Sequence, residues 1–279
     1  LFHQNKNRRQ EFEFEKCDRL VNLLETNGIK ILGILHYNVS WESPKFNTAP
    51  NPELFANYVR HVVDRYKDRI KYWEIWNEPD SPVYWEPQDK LVAYTHLLKT
   101  VYPVIKQTDP TSKVLLGGLS TDHPFNLKKV YRNGGKDYFD IVNIHPFVDS
   151  LDSAAMNSLR GIHREVLRTM EQFQDGEKEI WFTEIGCPGV KNDNVPRWWA
   201  GQNPSEKEQA EWLEKLYNEP LKWKGVKRIF WAFFRDTQYH FNSGVDFFGL
   251  VRQDFTQKPA FNAFKAAVER YNKSTKFNH

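Results

Sequence analysis

The stretch Ile70-Lys71-Tyr72-Trp73-Glu74-Ile75-Trp76-Asn77-Glu78-Pro79-Asp80 decides the fold. Its first seven residues are rich in β-branched and aromatic side chains and read as a strand. The strand stops abruptly, because Pro79 has no N–H to offer a ladder. Glu78 therefore projects from a strand end, beside the bulk of Trp73 and Trp76. A second end of the same kind follows at Lys178-Glu-Ile-Trp-Phe-Thr-Glu-Ile-Gly-Cys-Pro188, with Glu184 in the corresponding place. Either acid alone could cap a helix. Two strand-end carboxylates, each flanked by tryptophan and proline, are read together as a functional pair.

Outward from these two ends, short apolar runs alternate with helical patterns, the signature of βα units and a parallel sheet. The runs are 30–37, 70–76, 113–118, 140–145, 179–183 and 227–234. Between them the apolar spacing switches to the helical period. Cys17, Leu20, Val21 and Leu24 form one stripe, closed by Asn27-Gly28. Phe55, Tyr58, Val59, Val62 and Tyr66 form another, with Asn51 as cap and Pro52 at the first helical position. A third runs from Leu91 to Ile105, where Pro103 is expected to kink the helix or lie near its end. Others pass through Leu159 to Phe173, follow the capping box Ser205 to Glu208, and open at Pro259. Glu11 to Glu15 reads as a turn into the first helix. Six βα units are visible where a closed barrel of this type needs eight.

At 279 residues the chain fits one α/β barrel domain spanning 1–279. Its 40% hydrophobic content suffices for a sizeable core, and its ten tryptophans serve packing in part, though sugar-binding clefts also use aromatic faces. The 39 basic and 36 acidic residues are intermixed, which gives no electrostatic footprint for nucleic acid. No run approaches 18 apolar residues, so no membrane span is expected. Cys17 and Cys187 cannot form a disulfide framework and lack metal-site spacing. The chain begins at Leu1 with no leader pattern, and is expected to be a processed or excerpted part.

In parallel α/β folds the functional groups gather at the carboxyl ends of the strands. Here these ends carry His36, Tyr37, Asn77, Glu78, His145, Glu184 and Trp231. Cleavage of a glycosidic bond needs one acid to protonate the leaving oxygen and a carboxylate to meet the oxocarbenium-like centre. It also needs donors and acceptors for sugar hydroxyls, a task that suits Asn77. Trp231 is read as a stacking floor or as a packed core residue, and His145 as an orienting partner of a carboxylate or a structural histidine. Trp85, Trp198 and Trp199, in loops after the acid-bearing strands, suit sugar subsites or loop packing. The histidines lie on separate strands without HExxH spacing, so no metal is expected. Gly117-Gly118 lacks a phosphate-cradling pattern, and no cofactor is expected.

The chain resembles the clan A glycoside hydrolases, and within them is similar to family 39. The resemblance rests on Trp-Asn-Glu-Pro at 76–79, Trp-Phe-Thr-Glu-Ile-Gly at 181–186 and Phe-Gly-Leu…Lys-Pro-Ala at 248–260. It implies a (β/α)8 TIM-type barrel of which strands three to eight are visible. It also implies retaining hydrolysis of a β-linked oligo- or polysaccharide, with Glu78 as acid/base and Glu184 as nucleophile. Asn77 would contact the hydroxyl beside the reacting carbon, and Trp231 would come from the eighth strand. The family's first two strands, which carry an arginine supporting the nucleophile, have no counterpart. An additional polypeptide segment is therefore expected to complete the barrel, and secretion is an expectation from the substrate class. The competing reading is a catalytically silent carbohydrate-binding or scaffold protein on a truncated glycosidase barrel; the intact Glu78 and Glu184 favour the enzyme.

Overall fold

The structure, a computed structural model, describes residues 12–38, 42–89 and 91–276; the basic stretch 1–9 lies outside them. The chain divides into two compact units, Leu1–Asn143 with Thr169–Lys178, and Ile144–Arg168 with Glu179–His279. Each of the six predicted strands forms, and so does each predicted helix.

The first unit is a βα succession: α1 (Glu15–Thr26), β1 (Leu32–Leu35), α2 (Pro52–Tyr66), β2 (Tyr72–Ile75), α3 (Val92–Thr108), β3 (Lys113–Leu116), α4 (His123–Arg132) and β4 (Ile141–Ile144), which reaches the unit's boundary. The strands are parallel and pair in chain order, Leu32 opposite Tyr72, Trp73 opposite Val114, Leu115 opposite Ile141. Asn51 caps α2 by accepting from the Glu53 and Leu54 amides, and Pro52 stands at the first turn as the sequence requires. Pro103 sits inside α3, which continues to Thr108. The helix α4 was not anticipated: its apolar stripe is only Leu127, Val130 and Tyr131, too short for periodicity to announce it.

Two glycines set the packing of this sheet. A Cβ on Gly33 would lie 2.5 Å from the Trp73 indole, so only glycine lets that ring lie across β1. A Cβ on Gly117 would meet the Ile75 carbonyl at 2.6 Å. That close approach accounts for glycine at 117. The Tyr94 hydroxyl donates to the Ile75 carbonyl and accepts from the Gly117 amide, so α3 clasps the ends of both β2 and β3.

The second unit contains the start of α5 (Ala155–Gln172), then β5 (Glu179–Ile185), α6 (Glu206–Asn218), β6 (Val226–Trp231) and α7 (Pro259–Lys276). Ser205 and Glu208 form the predicted capping box, each accepting from the other's backbone amide. Leu213, Leu250, Ala260 and Ala263 make the small core between α6 and α7, closed by Tyr217 and Phe264. The parallel pairing of β5 with β6 shifts register between Phe182 and Ile185. The strand therefore bulges at Thr183-Glu184, a device that re-aims a side chain. Among the described residues no helix is long and apolar enough to cross a membrane.

Candidate active site

The predicted site residues fall into two sets, one in each unit. In the first unit, Trp76 ends the strand with its amide donating to the Leu35 carbonyl at 2.8 Å. Its φ is +69°, and Glu78 follows at +45°, a region that costs non-glycine residues energy. The surroundings hold this geometry. The Trp76 indole N–H donates to the Tyr84 carbonyl at 2.9 Å, and its ring packs edge-on against Trp85. The left-handed turn carries Glu78 off the ladder to a partly exposed position, while Asn77 stays buried.

Asp80, which sequence reasoning passed over, closes the same turn. Its carboxylate accepts from the Ser120 amide at 3.1 Å, the Thr121 amide at 2.9 Å and the Asn126 side-chain amide at 3.0 Å. The loop after β3 is thus fastened to the loop bearing Glu78. A strand-end Asp beside Pro is common in turns, so its type alone could not have marked it.

His36 and Tyr37 stand at the end of β1 with their rings stacked 3.8 Å apart, and Tyr37 meets Trp76 edge-on. Burial pushes the His36 imidazole down to about 4, so it is neutral at mild pH. Trp85 requires a correction. It is 1% exposed, wedged between Trp76 and Tyr94, and presents no face to a sugar. The rings of Trp76 and Tyr94 both meet it edge-on, so its apolar surface goes inward.

In the second unit Glu184 lies within the last residues of β5, which runs to Ile185 and past the predicted end at Thr183. His145, fully buried, places Nε2 3.0 Å from the Thr183 hydroxyl and Nδ1 4.0 Å from a Glu184 carboxylate oxygen. Thr183 could not be singled out beforehand, because a strand threonine is ordinarily a packing choice. Trp231 closes β6, half-buried, with its indole N–H donating to the Phe248 carbonyl at 2.8 Å. Trp198 also requires correction: it is 4% exposed, bonded to the Gln202 carbonyl and packed on Phe248. Its neighbour Trp199 is the exposed one, at 66%, stacked on Phe248 and edge-on to Trp198.

Below these residues the second unit is pinned by a buried ion pair. Lys258, from the Lys-Pro-Ala motif, reaches Asp236 at 2.7 Å, and Asp236 also accepts from the Gly249 amide. Burial pushes the Asp236 carboxyl up and the Lys258 ammonium down, and the pairing opposes both shifts. Burial likewise pushes the Cys187 thiol up to about 12, so it stays an unreactive thiol.

Solved structures share this architecture. A family 39 glycoside hydrolase from the gut symbiont Bacteroides cellulosilyticus WH2 superposes with a TM-score of 0.66 at 24% identity, over 93% of this chain and 54% of that one. The fold is a partial (β/α)8 barrel. A xylanase 10B from Thermotoga petrophila RKU-1, solved in complex with xylobiose, matches the barrel with a TM-score of 0.63 at 20% identity, over 94% of this chain and 81% of that one. In sequence, a model of glycosyl hydrolase family 10 matches residues 2–130. A 6-phospho-beta-glucosidase from Clostridium longisporum is 37% identical over 75 residues, 25% of this chain and 16% of that protein. The likeness is to the clan A glycosidases as a group, and the chain spans only part of each of these relatives.

Proposed function

We propose that the chain is the catalytic part of a retaining β-glycosidase acting on an oligo- or polysaccharide, of the kind found in family 39. The observation that carries this reading is the matched setting of two carboxylates. Glu78 and Glu184 each end a buried, tryptophan-bearing strand, each is partly exposed, and each sits on distorted backbone: a left-handed turn at Glu78, a bulge at Glu184. Sequences rarely keep strained strand ends without a use for the side chain they aim.

In this reading protonated Glu78 gives its proton to the glycosidic oxygen as the bond from that oxygen to the anomeric carbon breaks. The Glu184 carboxylate attacks the same carbon and forms a glycosyl-enzyme ester. Water then gives a proton to Glu78 and its oxygen to the anomeric carbon, which releases the sugar and restores both carboxyl groups. His145 holds the Glu184 carboxylate in place, and Thr183 fixes the ring that does so. Asn77 serves the hydroxyl beside the reacting carbon. Trp231 offers a plate whose orientation its bond to Phe248 fixes, and His36 with Tyr37 offers a second polar and aromatic surface. Of the three loop tryptophans, Trp199 keeps the exposed-platform role.

We also propose that a further polypeptide segment pairs along β1 to extend the barrel. Among the described residues of the first unit β1 pairs with β2 alone, and Leu20 and Leu23 on α1 are 56% and 61% exposed, with Ile29 and Ile34 also open. A cover over such a face would gain about 1.5–3 kcal/mol per large side chain.

The test is turnover of a panel of aryl β-glycosides, followed by reaction with the 2-deoxy-2-fluoro glycoside of whichever sugar is cleaved. The expected product is one sugar on the peptide containing Trp181 to Pro188. A label on another acid, with Glu184 unmodified, would overturn the role of Glu184. Absence of turnover on every sugar, with the segment along β1 supplied, would overturn the enzyme reading.

A further inference from the structure

The loops that follow β5 and β6 enclose a cavity of about 690 Å³ made wholly of second-unit residues and containing neither Glu78 nor Glu184. That volume is within the range of small-molecule sites. One wall is a built turn. The buried Asp246 carboxylate accepts from the Thr237 hydroxyl and from the amides of His240 and Phe241. Tyr239 and Asn242 sit at φ +54° and +52°, so this carboxylate holds two non-glycine residues in left-handed backbone. The outcome is that Tyr239 stands 78% exposed on the rim of the cavity.

The charges lining the cavity decide what it can take. Glu206 is engaged twice by the Arg252 guanidinium, which also bonds the Gln257 carbonyl. Asp236 is engaged by Lys258, and Asp246 by the turn it holds. Each ionised group is thus committed inside the protein, which leaves no cation aimed at an anionic ligand and no carboxylate aimed at a cationic one. The uncommitted groups are neutral. The side chains of Asn194 and Asn242 and the Tyr239 hydroxyl make no hydrogen bond among the described residues, and Gln238 pairs only with Gln253. Amides that donate and accept at once match vicinal hydroxyls, and a phenol ring packs on the C–H face of a pyranose.

We infer that this cavity is a second saccharide subsite, which binds a stretch of neutral polysaccharide away from the bond that is cut. The choice of ligand rests on the glycosidase reading; the binding itself does not. Glycine keeps the left-handed backbone at both turn positions while removing the side chains, so the double variant Tyr239→Gly/Asn242→Gly should fold. Its binding of xylohexaose and of cellohexaose, measured by calorimetry beside the parent chain, is the direct test. The expected result is that the parent binds one of the two and the variant binds it about tenfold less tightly. On the proposed enzyme, kcat/KM for the matching polysaccharide should fall about tenfold while that for a short aryl glycoside changes less than about twofold. If the parent, with the segment along β1 supplied, turns over neither substrate but binds a hexasaccharide in a way the variant has lost, the subsite stands and the glycosidase reading falls. If the parent binds neither hexasaccharide, or parent and variant bind equally, the subsite is overturned. Should the double variant unfold, Asn194→Ala, at an exposed position, is measured against the same outcomes.

Discussion

The buried ring of His145 stands with Nδ1 4.0 Å from the Glu184 carboxylate, and it is held there from behind by Thr183, 3.0 Å from Nε2. Glu184 thus has a neighbour whose orientation is fixed by a hydrogen bond to Thr183, which suits the nucleophile role proposed for it. Thr183→Val keeps the side-chain shape and removes that bond. Its expected effect is a loss of about tenfold in kcat with KM little changed, because the interaction is used in reaching the transition state. A rise in KM at constant kcat would assign Thr183 to ground-state binding instead.

Glu78→Gln removes a proton donor and little volume. Alkyl β-glycosides, whose leaving oxygens need protonation, should lose about 10²–10⁴-fold in rate. Activated aryl glycosides depart without that proton and should lose far less in the first step. Equal losses on both kinds of substrate, measured side by side, would count against Glu78 as the acid.

Lys258→Met should leave the Asp236 carboxylate buried without its counter-ion. Removing one partner of a buried pair costs about 3–5 kcal/mol, which corresponds to a fall in melting temperature on the order of 10 °C for a chain of this size. The double variant Asp236→Leu/Lys258→Met should regain much of that loss, since no charge remains to be buried. Thermal unfolding of the three proteins separates these outcomes, and a single variant as stable as the parent would show the pair to be dispensable.

His36 predicts an acid sensitivity. Its imidazole is held down to about 4 by burial, against an ordinary value of 6.5. Between those two values the unfolded chain binds a proton that the folded chain refuses, so stability falls as pH drops through that window. His36→Gln cannot take up that proton, and its stability in urea should change less between pH 7 and pH 4.5 than the parent's. Parallel pH dependence in both proteins would mean that other groups govern acid unfolding.

The open face of α1 and β1 predicts that residues 1–279 expressed alone bind a hydrophobic dye and self-associate. Leu20→Glu/Leu23→Glu should suppress both without lowering the melting temperature, since these side chains are exposed already. A parent chain that stays monomeric, binds no dye and turns over aryl glycosides at ordinary enzyme rates would remove the need for a completing segment.

The strand-and-helix order was legible because each device acts locally. The Asn51-Pro52 cap, the Ser205 to Glu208 box and the proline after Glu78 specify ends within a few residues of themselves, and all formed where they were read. The α4 helix was not legible, since three buried apolar side chains do not establish a period. The strand-end setting of Glu78 and Glu184 was also legible. What the sequence hid was the support beneath them: Asp80 bonds to residues 120–126, and Thr183 and His145 meet from different parts of the chain.

By itself the sequence determined the βα alternation, the caps and the two acid-bearing strand ends, because propensity, periodicity and the missing proline N–H act at short range. Only the tertiary structure decided which tryptophans face solvent. Trp85 and Trp198 turn inward, because Tyr94 and Phe248 wait there to receive them, and Trp199 is left outside. It also decided that Gly33 exists for the Trp73 ring and that Lys258 is balanced by Asp236, twenty-two residues earlier. Burial and counter-charge depend on what lies opposite in space, and that is settled only when the distant segments meet.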